Sequence, residues 1–183
     1  MNETAPVARA TILYESMFGN TRKVAEAIAE GLRPVASVTL LPVKDAPEAI
    51  DADLLIVGAP THVHGLSRPA TRTQAGAWAD DEARHLTLEP DAEGIGLREW
   101  LETCGRVPPQ FAAFDTRADM TELFSGSAAS VIDKRMRKLG SRRFVQKQSF
   151  LVDKDSVLED GQLERAREWG RTLAGELRMP ALR

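Results

Sequence analysis

The sequence predicts an α/β domain: a doubly wound, five-stranded parallel sheet sandwiched between two layers of helices. Three observations predict it. Short, β-rich apolar runs alternate five times with segments of helical period, the pattern of successive strand–helix units. At 183 residues the chain suits one domain and can bury a sizeable core without disulfides or metals. Its 43% hydrophobic and 28% charged residues are ordinary for a folded protein, and 5% aromatics make that core mostly aliphatic.

The elements follow in order. Residues 1–9 read as a disordered leader, 10–178 as the single domain and 179–183 as a tail. Ala10–Tyr14 is a short apolar run suited to a buried strand. From Thr21 to Leu32 the period changes, and Val24, Ala27, Ile28, Gly31 and Leu32 share one helical face that Pro34 cannot extend. Val35–Val43 reads as the second strand, Asp45–Ile50 as a short helix, and Asp53–Val57 as the third strand. Gly58–Glu93 breaks the rhythm and reads as a long loop, a kind of segment that often carries function. A helix resumes over Gly96–Cys104, followed by a fourth strand over Phe111–Phe114 and a helix over Ser127–Leu139. Residues 143–152 make a fifth strand, and Gln162–Leu177 a final helix with Leu163, Ala166, Trp169 and Leu173 at helical spacing.

Composition excludes several functions. A net charge of −3 argues against a dedicated nucleic-acid binder. One cysteine, Cys104, permits no intrachain disulfide and no multi-cysteine metal site. No apolar run approaches the roughly 18 residues of a membrane span, and no signal peptide is visible, so the expectation is a cytoplasmic protein without a membrane role. The triad residue types occur, but no nucleophile elbow does. The basic stretch from Lys134 to Lys147 reads as a helix C-terminus complementing the macrodipole, with docking of an acidic partner or a nucleotide phosphate as the sharper alternative.

In doubly wound sheets ligands bind beyond the carboxyl ends of the strands, which singles out the loops after Tyr14, Val57 and Phe114. The first is Ser16-Met17-Phe18-Gly19-Asn20-Thr21, running straight into a helix. Gly19 permits a positive φ and close approach, while the helix start offers free N–H groups to a phosphate. No Walker A pattern occurs, and Gly94-Ile95-Gly96 lacks the third glycine of a dinucleotide fingerprint.

This loop resembles the phosphate-binding loop of the flavodoxins, Ser/Thr-x-Thr-Gly-x-Thr, and the element order of residues 10–178 is similar too, including Gly58-Ala59-Pro60-Thr61 after the third strand. The resemblance implies strand order 2-1-3-4-5 and one non-covalent FMN, with Ser16, Met17, Phe18, Gly19, Asn20 and Thr21 around its phosphate. Phe18 departs from the pattern, replacing a hydroxyl residue and removing one side-chain donor.

By position, Pro60, Thr61, His62, Val63, His64 and Gly65 correspond to the family's loop over one side of the flavin ring. His62 or His64 would stack on the ring or move protons beside it; a His-x-His metal pair is the weaker alternative. Asp115, Thr116 and Arg117 correspond to the loop holding the pyrimidine end, and a cation at Arg117 would stabilise the reduced ring. The tyrosine clamp of low-potential flavodoxins is missing, Tyr14 being the one tyrosine, and Trp78 or Trp100 would have to substitute. What the resemblance implies is a flavodoxin-like redox protein that passes electrons to a partner protein, or from NAD(P)H to a quinone-like small-molecule acceptor. The alternative is a binding or regulatory module whose flavin site has degenerated.

Overall fold

The computed structural model describes residues 7–90 and 92–178. In chain order these form β1 (Ala8–Tyr14), α1 (Asn20–Leu32), β2 (Ala36–Pro42), β3 (Leu54–Pro60), α2 (Pro69–Ala79), α3 (Leu97–Thr103), β4 (Gln110–Ala118), α4 (Glu122–Ser125), α5 (Ala128–Lys138), β5 (Arg142–Arg143), β6 (Gln148–Val152) and α6 (Gln162–Arg178). All strand pairings in the sheet are parallel, in the order β2-β1-β3-β4-β5, with β6 also on β4. The order 2-1-3-4-5 is therefore observed, with one modification. The expected fifth strand is split, because residues 144–147 leave the ladder and β5 and β6 meet β4 at successive stretches of one edge.

The period of two along each central strand divides the core. Ile12, Ile56, Ala112 and Phe114 pack on one face with Val24, Ile28 and Leu32 of α1 and Trp169 and Leu173 of α6. Leu13, Leu55, Val57, Phe111 and Ala113 pack on the other with Leu97, Trp100 and Leu101 of α3 and Ile132 and Met136 of α5. Phe114, Phe150 and Trp169 meet edge to face with ring centroids 6.1–6.4 Å apart in the first of these layers. Two glycines set the α1–α6 approach. A Cβ on Gly31 would lie 2.3 Å from the Arg167 carbonyl oxygen, and one on Gly170 would lie 2.3 Å from that of Ile28. Gly31, which costs α1 helical propensity, is what lets the two backbones touch.

Three expectations are corrected. Asp45–Ile50 is not a helix: a 3₁₀ turn spans Val43–Asp45, and Ala46, which precedes Pro47, is extended. The long segment after β3 is not all loop, since α2 begins with Pro69 in its first turn, where its missing N–H costs nothing. β1 starts at Ala8, inside the expected leader; residues 1–6 of that leader and the tail 179–183 lie outside the described residues.

Candidate functional site

The carboxyl ends of β1, β3 and β4 open into one cleft of about 320 Å³, within the ordinary range of small-molecule sites. Ser16, Met17, Phe18, Asn20 and Thr21 line it from the first loop, Pro60, Thr61, His62 and Val63 from the second, and Thr116 and Arg117 from the third. Gly19, His64, Gly65 and Asp115 are not in its wall.

The first loop is shaped by Gly19, which caps α1 at φ +85°. No side chain of the cap residue satisfies the helix start; Ser16 Oγ lies 3.4 Å from the Arg22 N–H. Met17 is buried against Ala75 and Ala92, so it contributes backbone rather than side chain to the cleft. Thr21 is buried, its hydroxyl 2.8 Å from that of Thr116, which joins the first and third loops. Asn20 Nδ2 donates to the Ser156 carbonyl at 2.6 Å, bringing residues 152–156 to the cleft as well. Arg22 is already compensated, pairing with Glu89 at 3.0 Å and Glu26 at 2.9 Å. It needs no ligand anion to offset its place in the first helical turn.

The second loop is a tight turn in which His62 and Gly65 exchange backbone hydrogen bonds of 2.7 and 2.9 Å. Val63 and His64 are both left-handed, at φ 39° and 70°. That is costly for a β-branched valine and persists only where the surroundings impose it. The surroundings include Gly126, which bridges to His64 and where a Cβ would sit 2.2 Å from the His64 Cα. His64 thereby lines a different hollow, with Glu122, Ser130 and Lys134. Asp115 lies wholly buried beneath the cleft, accepting from Ser127 Oγ at 2.7 Å, the Ala129 N–H at 3.0 Å and Thr61 Oγ1 at 3.1 Å. Its role is to fasten the second loop to the start of α5.

Of the two histidines in the turn, His62 belongs to the cleft. Burial, with the Arg72 guanidinium nearby, pushes its imidazole down to about 4, so it is neutral near pH 7. Arg117 sits in the opposite wall, its Nη1 donating to the carbonyls of Met120 and Ala118, the latter at 3.4 Å. Its Nε is buried without a partner among the described residues.

Sequence reasoning missed Thr71 and Gln74, which α2 places in the cleft wall together with Trp78. Pro69 after Arg68 was the available signal for that helix, but its apolar face is little more than Ala75 and Gly76. Of the two tryptophans nominated to replace a tyrosine clamp, Trp78 is in the cleft; Trp100 is core, with its indole N–H on the Pro47 carbonyl at 2.9 Å. Tyr14 lines a separate small hollow beside Glu89. A buried network ties this insertion down. Arg72, 2% exposed, donates to Ser67 Oγ at 2.9 Å and pairs with Glu99 at 3.1 Å. Glu15, 3% exposed, accepts the Leu97 N–H at 2.7 Å, and burial pushes its carboxyl up. The basic stretch is largely paired: Arg137 and Arg143 meet Asp133, Arg135 meets Glu102 and Lys147 meets Glu122. No group of three His, Cys, Asp or Glu among the described residues is arranged to hold a metal.

The residues present fit FMN. The cleft joins a glycine-shaped loop with an open helix start, which suits a phosphate, to a wall that carries the Trp78 ring, His62 and Arg117, which suits a heteroaromatic ring. Comparison with known proteins agrees. A model of the flavodoxin family matches residues 12–96. No curated protein matches the chain by sequence. Among solved structures, oxidised flavodoxin 1 from Bacillus cereus is similar at 16% identity over 92% of this chain and 98% of that one, with TM-score 0.63. A flavodoxin from the domain Archaea is similar at 19% identity, covering 93% of this chain and 99% of that one, with TM-score 0.60. Rubredoxin oxygen:oxidoreductase from Desulfovibrio gigas is similar at 19% identity over 95% of this chain but 38% of that one, with TM-score 0.55. At such identities the structural likeness speaks for the fold, and the family model speaks for residues 12–96, which carry the first two loops. The chain therefore has the flavodoxin-like fold, its residues 12–96 match the flavodoxin family, and FMN is the cofactor that this likeness indicates.

Proposed function

We propose that the chain holds FMN in the three-loop cleft and works as a redox protein, taking electrons from NAD(P)H and passing them to a quinone-like small molecule. The observation that carries the flavin reading is the convergence of Ser16–Thr21, Pro60–Val63 and Thr116–Arg117 on one cleft. The preference for a small acceptor over a partner protein rests on α2, whose Thr71, Gln74 and Trp78 add a protein wall on which a small molecule can lie.

When bound, FMN supplies a carrier of two electrons and their protons. The chain's own residues do the rest. The first N–H groups of α1, with Ser16 and Asn20, hold the phosphate through neutral donors and the helix dipole. Thr61 is not free to serve the ligand through its hydroxyl, which donates to Asp115 and accepts the Ala128 N–H at 2.9 Å; it orients the turn that follows. His62, neutral at physiological pH, offers one ring N–H and one acceptor nitrogen, so it orients or relays a proton without adding charge. Arg117 supplies a positive charge to the wall.

Heat release from the purified protein, with chromatography of the supernatant, tests the cofactor. Stoichiometric FMN is expected; a colourless protein that fails to take up FMN in titration overturns the reading. A steady-state assay with NADH or NADPH and benzoquinone then tests the acceptor, and reduction of the bound flavin without turnover of quinone would move the protein to the partner-dependent carriers.

A further inference from the structure

A second hollow, about 610 Å³, adjoins the cleft and shares Phe18, Asn20, Lys154 and Ser156 with it. Three segments wall it: the start of α1, residues 83–87 of the insertion, and residues 154–157 after β6. Its lining has three permanent cations, Lys23, Arg84 and Lys154, with His85 beside them, against one carboxylate, Asp155. Asp155 pairs with Lys154 at 2.9 Å, and Arg84 has Asp81 at 3.4 Å, while Lys23 has no ion-pair partner among the described residues. The positive surplus stands out on a chain of net charge −3.

The backbones of the wall segments are held in place, although their cationic side chains are largely exposed, Lys154 by 88%. Arg84 lies over the Trp78 ring at 5.0 Å, and the Asn20 side chain fastens residue 156 to α1. His85 and Ser156, on facing segments, are both left-handed at φ 52° and 60°, a conformation non-glycine residues hold only when their surroundings fix it. Between the cations lie apolar surfaces from Phe18, Leu86 and Val157. A guanidinium and two ammonium groups recognise phosphate, and flat apolar walls recognise a base. A lone phosphate would leave most of this volume empty.

We propose that this hollow is a second ligand site, distinct from the FMN phosphate loop, which binds a nucleoside phosphate with its phosphate among Lys23, Arg84 and Lys154. Binding stands independently of the flavin; only its use to present a reduced pyridine nucleotide to the cleft rests on the function proposed above.

Calorimetric titration of the purified protein with adenosine 2′,5′-bisphosphate, adenosine and inorganic phosphate, with and without saturating FMN, tests it. The bisphosphate is expected to bind with or without FMN, to weaken as salt rises, and to bind about tenfold or more tightly than either fragment. The Lys23→Gln/Arg84→Gln variant, with its thermal midpoint retained, is expected to weaken it about tenfold. Displacement of the bisphosphate by FMN would place the anion in the phosphate loop and overturn the proposal. So would undetectable binding, phosphate alone matching the bisphosphate, or a folded variant that binds normally. Bisphosphate binding by a protein that takes up no FMN would uphold this site while sinking the flavin reading.

Discussion

At the scale of single residues, the site works by removing choices. His62 is the clearest case, since the fold holds its imidazole neutral where an unfolded chain protonates it near 6.5. The folded value being the lower one, the unfolded state binds the extra proton as pH falls, so stability is lost between about 6.5 and 4 and the full penalty applies below that. The penalty is of order 2–3 kcal/mol for so buried a group. His62→Gln should therefore flatten this part of the stability profile, measured by urea unfolding from pH 7.5 to 4. Carboxylates titrate in the same window, so the difference between the two proteins is the quantity to read; parallel profiles would mean that the imidazole protonates freely in the fold. Sequence alone left His62 and His64 equivalent. Only the turn, with its two left-handed residues locked by Gly126, sends one into the cleft and the other to a separate hollow.

Between elements, the most informative contacts are those that no pattern of apolar residues announces. In sequence Gly31 reads as a flaw near the end of α1, yet with Gly170 it brings α1 and α6 into backbone contact. Gly31→Ala gains helix propensity worth roughly 1 kcal/mol and loses more to a contact of 2.3 Å, so a net loss of about 1–3 kcal/mol is expected from thermal unfolding. An unchanged midpoint would show that the helices separate freely. The insertion is the second case. The strand–helix alternation and the three loops were legible because buried strands and helix starts leave periodic and glycine-marked signatures. α2 left none, because most of its anchorage is polar: Arg72 reaches Ser67 and Glu99, with Glu15 buried alongside, and charged residues in sequence read as solvated surface. The same silence hid Thr71 and Gln74 from the candidate site and left Trp78 as one of two nominated tryptophans, and the break between β5 and β6 was hidden by a run that stays apolar at Phe144 and Val145. Arg72→Leu should cost about 3–5 kcal/mol, as losing one partner of a buried pair does. It should also raise the imidazole pKa of His62, because the Arg72 charge is one of its two depressants. Histidine NMR titration reads the second effect separately; a stability loss without that shift would mean that Arg72 only fastens α2.

For the whole molecule the question is what charge a reduced flavin would meet. A two-electron-reduced ring tends to carry a negative charge at its pyrimidine end, and every surrounding carboxylate penalises it while every cation relieves it. The chain's net charge is only −3; buried Asp115 accepts three hydrogen bonds on Oδ2 while its Oδ1 has no partner among the described residues, and Asp153 lines the cleft beside Lys154. Arg117 is held in the wall by the carbonyls of residues 118 and 120, so its charge cannot swing into solvent without breaking that loop. With Arg117 in the wall, the expectation is that its charge favours the reduced ring and two-electron cycling. Arg117→Ala should lower the two-electron midpoint potential of the FMN-loaded protein; about 1.4 kcal/mol of lost stabilisation corresponds to about 30 mV. Because the variant also frees residues 118–125, Arg117→Lys is the needed control: it keeps the charge, cannot reproduce the guanidinium's contacts, and should recover most of the potential. If both variants shift equally, the loop and not the charge sets the potential. If neither shifts, Arg117 lies too far from the ring to matter, and the case for two-electron cycling loses its main support.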